Sequence, residues 1–508
     1  MQESRVSNAS RNIIFGMFLK GYQILMPFLM RTAMMYYMGE EYLGLNSLFG
    51  SILWVLNIAE LGVGSAMVYG MYKPIIDNNK NEICGLLKLY RRYYRIIGIL
   101  IAVVGIFLTP AIPHFIKKDV PIGINIYVVY LLNLFCTVMT YWLFAYKNSL
   151  LVAHQRNDIS SKVMLVTNTF QYGSQFVMVM VFKDYYLYLF VAIITQALTN
   201  IIIAHYANKL YPEYQPVGQL GKDKIRKINN RIKDLFTSKL GNVIVSSCDS
   251  IVISASLGLV INAVYNNYYY ILTAVMGIVK VVLDSCLSGI GNSILVDTKD
   301  KIYKDFNKLS FIVFWIIGSC SACLLVMYQP FMSIWVRGKS SSMLGFTAVV
   351  CFVIYFFIDE MNQLLLIYKD AAGIWHEDRF RPLVTAIANL VLDLIFVQIW
   401  GIYGVLWATV LSKICIGIPW LIYNLSTVLF TRSMRNYILK IILYSTLTAI
   451  VCTITYIICS IINIDGIMGL ISKTIISGLI SNLLFFLFYF RTKEFIETKE
   501  LIRRIIIK

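Results

Sequence analysis

Two cations stand in an otherwise apolar stretch near the amino end of this chain: Lys20 and Arg31, with Gln23 and Pro27 between them. On an α-helix that turns about 100° per residue, Lys20 and Arg31 point in directions about 20° apart, some three turns from one another. Pro27 lies between them on that face and is expected to kink the helix. Two positive side chains without an acid in the same helix need either remote carboxylates or an anionic ligand. A diphosphate, with about two negative charges, is such a ligand, and a guanidinium can grip it with two donors. A neutral or cationic cargo would instead favour a pocket lined by carboxylates.

Further polar stripes follow. They are Asn46, Asn57 and Glu60; Asn168, Gln171 and Gln175; Lys239, Asn242, Ser246 and Asp249; Thr273, Lys280 and Asp284; Asp359 and Glu360 with Asn362 and Gln363; and Thr385, Asn389 and Asp393 at i, i+4, i+8. A charge at the centre of a membrane helix costs about 2.5–3.5 kcal/mol on insertion scales, so these residues are expected to face a wet cavity or a partner. As substrate-binding candidates this singles out Lys20, Arg31, Lys239, Lys280, Asn57, Gln171, Gln175 and Asn242. As candidates for coupling to H⁺ or Na⁺ it singles out Glu60, Asp249, Asp284, Asp359, Glu360 and Asp393. Each has a plainer alternative. Lys280 and Asp284 can neutralise each other at i, i+4, and Lys239 can snorkel to the interface. The amides can be interhelical glue. Glu60 can pair with Arg31, and Asp359 and Glu360 with Lys413 or Lys473.

The elements that must hold these side chains are membrane helices. The chain has 508 residues, is 58% hydrophobic and 14% charged, and has a mean hydropathy of +0.70. A soluble chain is typically about 25% charged, so an array of soluble domains is excluded, as is disorder. Spans of about 20 apolar residues are predicted at 12–38, 43–72, 93–116, 123–147, 161–182, 185–207, 236–260, 263–295, 308–335, 343–368, 382–399, 401–427, 437–461 and 464–490. The reversals at Lys183-Asp184 and at Gly401-Ile402-Tyr403-Gly404 read as helical hairpins. The net charge of +18 would suggest nucleic acid in a soluble protein. Here it reports loops held inside. Lys73, Arg91, Arg95, Lys222, Arg226, Arg231, Lys299, Lys304, Arg379, Arg381, Arg432, Arg435 and the tail fall on one side, against only Lys117, Lys118, Lys183, Arg337 and Lys339 on the other. Even parity with both termini cytoplasmic follows.

Other functions find little support. The polar first eleven residues and the long first apolar stretch do not read as a secretory signal. The ten cysteines lie mainly within spans, and Cys320-Ser-Ala-Cys323 reads as apolar packing. The four histidines are scattered, and no phosphate-cradling Gly-x-x-x-x-Gly-Lys-Ser/Thr motif is present. No loop is long enough for a catalytic domain. The tyrosines of Tyr265-Asn-Asn-Tyr268-Tyr269-Tyr270 read as an interfacial belt or an aromatic sugar platform.

The polar segment 208–235, with Pro212, Pro216, Gly218 and Gly221, divides the spans into six before and eight after. Leu-Gly-Leu at Leu43-Gly44-Leu45 and at Leu257-Gly258-Leu259 suggests a repeated turn. A parallel six-span repeat would put the cargo site between two bundles. The expected organisation is 1–207 as an amino-terminal lobe, 208–235 as a basic cytoplasmic linker, 236–427 as a carboxy-terminal lobe, 428–490 as two added helices, and 491–508 as an amphipathic basic tail on the leaflet.

Four segments carry a resemblance. They are Arg31-Thr-Ala-Met-Met-Tyr-Tyr-Met-Gly-Glu-Glu-Tyr-Leu-Gly-Leu-Asn-Ser-Leu-Phe49; Ile58-Ala-Glu-Leu-Gly-Val-Gly-Ser-Ala-Met67; Asp249-Ser-Ile-Val-Ile-Ser254; and Ala372-Gly-Ile-Trp-His-Glu-Asp-Arg-Phe-Arg-Pro382, running on to Asn389 and Gly401-Ile-Tyr-Gly404. Over nearly its whole length the chain resembles the polysaccharide transporters of the multidrug/oligosaccharidyl-lipid/polysaccharide exporter superfamily, the O-antigen and capsule repeat-unit flippases. That resemblance implies an all-α integral membrane protein with 14 transmembrane helices, as two six-helix lobes around a central V-shaped cavity plus two carboxy-terminal helices. It implies a non-enzyme of the bacterial cytoplasmic (inner) membrane. Its cargo would be undecaprenyl-diphosphate-linked oligosaccharide, its surroundings membrane lipids, and its companion the polysaccharide polymerase machinery. No cofactor is implied beyond an H⁺ or Na⁺ gradient. A basic residue of the first helix faces the cavity in such proteins, a role that Arg31 and Lys20 match by position. The lipid II flippases of the superfamily carry more cavity arginines, where this chain offers lysines in the second lobe. The alternatives are a multidrug/cation antiporter of the same superfamily and, from another class, a membrane glycan polymerase or ligase, against which the short outer loops argue.

Overall fold

The computed structural model describes residues 2–506 apart from 338, 339, 463 and 465. Side chains are described from residue 18 onward, apart from 234, 237–239, 242, 246, 288, 338–340, 463, 465 and 500–508. The chain folds as two compact units, Met1–Ala263 and Val264–Lys508. No strand occurs among the described residues.

The first unit holds α1 (Gln2–Tyr37), α2 (Glu40–Leu56), α3 (Val63–Ile76), α4 (Lys80–Leu108), α5 (Ile126–Trp142), α6 (Asn148–Ala153), α7 (Asn157–Val177), α8 (Tyr185–Leu210), α9 (Lys222–Leu257) and the start of α10 (Leu259–Val296). The second holds the rest of α10, then α11 (Lys299–Trp335), α12 (Phe346–Ala371), α13 (Arg381–Trp400), α14 (Ile402–Ser412), α15 (Ile418–Asn424), α16 (Arg435–Ser460), α17 (Gly466–Tyr489) and α18 (Lys493–Ile506).

Among the described residues, ten helical stretches are long and apolar enough to cross a bilayer, or eleven when the pair 126–142 and 145–153, bent by 45°, counts as one. This is a multi-pass membrane protein. The expected spans 12–38, 161–182 and 236–260 fall on α1, α7 and α9, which are helical but not among those ten. For α7 the physical reason is visible in the sequence, since Asn168, Gln171 and Gln175 dilute its apolar window; α1 and α9 each include residues outside the described side chains.

The hairpin signals fold as local chemistry dictates. Lys183 takes a left-handed backbone (φ 52°), and Asp184 accepts hydrogen bonds from the amides of Tyr186 and Leu187, capping α8. Gly401 separates α13 from α14. The repeated-turn expectation needs correction. Gly258 does end α9, but Gly44 lies inside α2. A Cβ on Gly44 would stand 2.1 Å from the Leu259 carbonyl oxygen, and Asn262 Nδ2 donates to the Gly44 carbonyl at 3.2 Å. The two Leu-Gly-Leu segments therefore meet each other; glycine is needed because backbone approaches backbone.

In the first unit α7 and α8 pack as a hairpin, α1 runs along α7, and α5 packs against both α4 and α8. In the second, α11 is the hub, contacting α12, α16 and α17, around a core that includes Phe306, Phe352, Phe356 and Tyr437. The tyrosine run belongs to this core, not to an interfacial belt or a sugar platform: Tyr268 is fully buried, stacked on Tyr328 at 5.6 Å and Phe352 at 5.8 Å between centroids. The tail departs from the expected leaflet-lying helix in its first turn. Glu494 pairs with Lys440 at 2.8 Å, and the Phe495 ring stacks on Trp315 at 6.0 Å.

Candidate functional site

The amino-terminal cations stand where the first unit's core thins out. Met30, Ala33, Met34 and Met35 are buried, with Met30 and Ala33 packed about Val179 beside Tyr172 and Tyr188. Toward the amino end Gln23 and Lys20 are exposed, and Arg31 is half-buried at the boundary, within electrostatic reach of Tyr188. Lys20 has no acidic partner among the described residues. The stripe is therefore left uncovered by the core of its own unit.

The second span breaks at Asn57–Glu60, a short 3-10 turn between α2 and α3. Asn57 Oδ1 accepts a hydrogen bond from the Tyr141 hydroxyl at 3.0 Å. Glu60 accepts one from Tyr94 at 3.1 Å, and Tyr94 in turn accepts from Tyr90 at 2.6 Å. Gly64 permits this convergence, because a Cβ there would stand 3.0 Å from Glu60 Oε1 and 3.1 Å from the Tyr90 hydroxyl. The tyrosines were not among the sequence candidates; the i, i+4 spacing of Tyr90 and Tyr94 was the available signal.

The amides of α7 turn to their neighbour helix. Gln175, buried, donates to the Tyr188 carbonyl of α8 at 3.1 Å, and Gln171 accepts from Thr195 of α8 at 3.1 Å. These two, expected as cargo contacts, stitch the α7–α8 hairpin; a buried amide takes the partners that close packing offers. Asp249 is buried in α9, where the neighbouring Ser250 donates to Asn262 at 2.7 Å. Lys239 and Asn242, expected to bind the cargo, lie outside the described side chains.

In the second unit Asp359 of α12 pairs with Lys413, which opens a five-residue π-helical stretch and also lies 4.7 Å from the Tyr355 ring centroid. Such π-segments are common at functional sites. The adjacent Glu360 is 1% exposed, and its Oε2 has no hydrogen-bond partner among the described residues. Lys280 and Asp284 form an i, i+4 pair at 3.4 Å, both sides half-exposed.

The stripe on α13 closes on α14. Asn389 Nδ2 donates to Asp393 at 3.2 Å and to Thr409 Oγ1 at 3.3 Å, and all three residues are buried. Asn389 Oδ1 has no hydrogen-bond partner among the described residues. The amide nitrogen of Asn389 is thus the group that faces both the Asp393 carboxylate and the Thr409 hydroxyl.

One buried ionic cluster was missed. Asp378 receives two hydrogen bonds from Arg381, at 2.6 and 2.8 Å, and one from Asn424 at 3.1 Å, with Lys369 at 3.8 Å. It ties the end of α12, the start of α13 and α15. Arg381 was read as a loop charge; the i, i+3 spacing to Asp378 was its signal.

No family model and no curated protein sequence matches the chain. Solved structures do. The lipid II flippase MurJ in an inward closed conformation is similar over 94% of this chain and 99% of its own, at 14% identity and a TM-score of 0.72. An inward-facing multidrug resistance MATE family transporter of the MOP superfamily is similar over 79% of this chain and 93% of its own, at 13% identity and a TM-score of 0.61. A MATE transporter of Vibrio cholerae, at 13% identity, covers 84% of this chain and 98% of its own with a TM-score of 0.54. The fold of this chain is that of the exporters of the MOP superfamily.

Proposed function

We propose that the chain is a flippase that moves undecaprenyl-diphosphate-linked oligosaccharide repeat units from the cytoplasmic to the outer leaflet, for O-antigen or capsule assembly, by ion-coupled alternating access. The observation that carries this reading is the α1 stripe: Lys20 and Arg31, on one side of a helix, at the place where the first unit's core leaves that side uncovered. A diphosphate fits two such cations, and the similar MurJ structure is that of a lipid II flippase. On this reading the protein lies in a bacterial cytoplasmic membrane with fourteen spans and both termini inside, works beside the polymerase machinery, and performs no covalent chemistry.

Coupling rests on the buried carboxylates. Asp393, buried at the α13–α14 contact, would supply the carboxylate for Na⁺, a charge that the cargo step can be linked to. Glu360 would carry the proton if coupling is to H⁺.

The test is complementation. In a strain lacking this protein, export of the surface polymer should fail and return with the parent gene. Arg31→Ala should not restore it, although the variant reaches the membrane at parental abundance. Unimpaired export by Arg31→Ala would remove the assignment. The similarity to MATE transporters favours a second reading, a multidrug/cation antiporter. It predicts drug resistance on overexpression and no polymer defect on deletion.

A further inference from the structure

We propose that the groove between α7 and α8, at the end where α7 begins and α8 stops, binds an anionic phospholipid of the surrounding bilayer. The groove has a volume of about 460 Å³. Its mouth carries Arg156, Lys162 and Lys209, and its one acid is Asp158. Asp158 is 1% exposed and already engaged, with Arg156 at 3.0 Å and Lys162 at 3.6 Å. Three cations against one carboxylate leave the mouth with a surplus of two positive charges. Lys209 has no acidic partner among the described residues, and Lys162 is half-exposed.

Below the cations the lining turns apolar. Val166, one turn further along α7 than Lys162, is 71% exposed. A span presents such surface to acyl chains. Tyr206, 42% exposed, adds an amphipathic ring of the kind that sits at headgroup level. Cations at the rim and apolar walls beneath match a molecule with a phosphodiester at one end and hydrocarbon at the other. Basic pockets between membrane helices recognise anionic headgroups in this way. The charge surplus selects an anionic lipid over a zwitterionic one, and the apolar wall selects a lipid over a free phosphate. The site lies apart from the α1 cations and does not depend on the cargo reading.

Binding of phosphatidylglycerol and phosphatidylcholine to the purified full chain, followed by native mass spectrometry, tests this. The parent should retain phosphatidylglycerol in preference to phosphatidylcholine. The double variant Lys162→Ala, Lys209→Ala leaves the Arg156–Asp158 pair intact and should lower that preference roughly tenfold or more. Val166→Trp, which fills the groove without touching charge, should lower retention of phosphatidylglycerol as well. Undiminished preference in the double variant would overturn the proposal. So would complete displacement of phosphatidylglycerol by millimolar inorganic phosphate, because the site would then be a phosphate site without a lipid.

Discussion

At the scale of single residues, charge decides most of what is special here, and the buried charges divide into those that hold the fold and those left for function. Asp378 holds the fold. Removing one partner of a buried ionic cluster costs about 3–5 kcal/mol, because the remaining charge stays buried and unpaired. Asp378→Ala, which strands Arg381 at 6% exposure, should lower the melting temperature in detergent clearly, and Asp378→Asn should lower it less. Equal stability of all three proteins would contradict the assignment. On the proposed function, Asp393 belongs to the second group. Its carboxylate is the proposed sodium ligand, so Asp393→Asn should abolish any dependence of export on a sodium gradient while the protein still accumulates. A parental sodium response in that variant would exclude this cluster as the coupling site. That the α1 cations and the acids on α12 and α13 stand on helices was readable from residue type and spacing alone. The roles of Gln171 and Gln175 were not, because a stripe on one helix does not reveal whether its neighbour is another helix or open space. Tyr90 and Tyr94 were overlooked for the reverse reason: in a chain with 34 tyrosines, an i, i+4 pair is a weak signal until Glu60 is seen beside it.

At the scale of elements, the breaks matter more than the helices. The turn at Asn57–Glu60 gathers Glu60, Tyr94 and Tyr90 around Gly64. Tyr94→Phe removes a hydrogen bond to a carboxylate, a loss of about 1.5–3 kcal/mol, and should weaken both thermal stability and export. A variant indistinguishable from the parent in both would show that the cluster is incidental. A second contact joins the linker to the first unit: His154, just beyond α6, stacks on Tyr211 with centroids 4.1 Å apart. Burial pushes the imidazole pKa below its ordinary value of 6.5, while the bond to the Leu150 carbonyl and the charge of Glu213 oppose this. The neutral ring is therefore favoured in the folded contact. The contact should be firm above the ordinary imidazole range and loosen as pH falls through it, since released histidine takes up a proton more readily than the stacked one. Limited proteolysis of 208–221 should accelerate on acidification in the parent and not in His154→Phe; acceleration of equal size in both would assign the effect elsewhere. Hairpin positions such as Lys183-Asp184 and Gly401 were readable because turn and cap chemistry is local. The Gly44 contact with Leu259 was not, because it joins residues more than two hundred positions apart.

At the scale of the whole molecule, the class of protein was readable from hydropathy, and the MOP-superfamily fold from a resemblance dispersed over four segments. Span number is where hydropathy falls short for α7, whose polar stripe keeps it from the ten that pass on length and apolarity among the described residues. The proposed fourteen-span topology with both termini inside has a direct check. A cysteine introduced at Lys222 should react with an impermeant thiol reagent only from the cytoplasmic side, and one at Lys118 only from the outer side. Labelling of both from one side would contradict the parity. The central claim is narrower: the cations of α1 receive an anionic head group. It is tested by equilibrium binding of a lipid-diphosphate oligosaccharide, and of a neutral glycolipid of equal chain length, to the parent and to the double variant Lys20→Ala, Arg31→Ala in one detergent. The account predicts that the double variant loses roughly tenfold or more in affinity for the diphosphate lipid and keeps its affinity for the neutral one. Unchanged affinity for the diphosphate lipid in the folded double variant would contradict it.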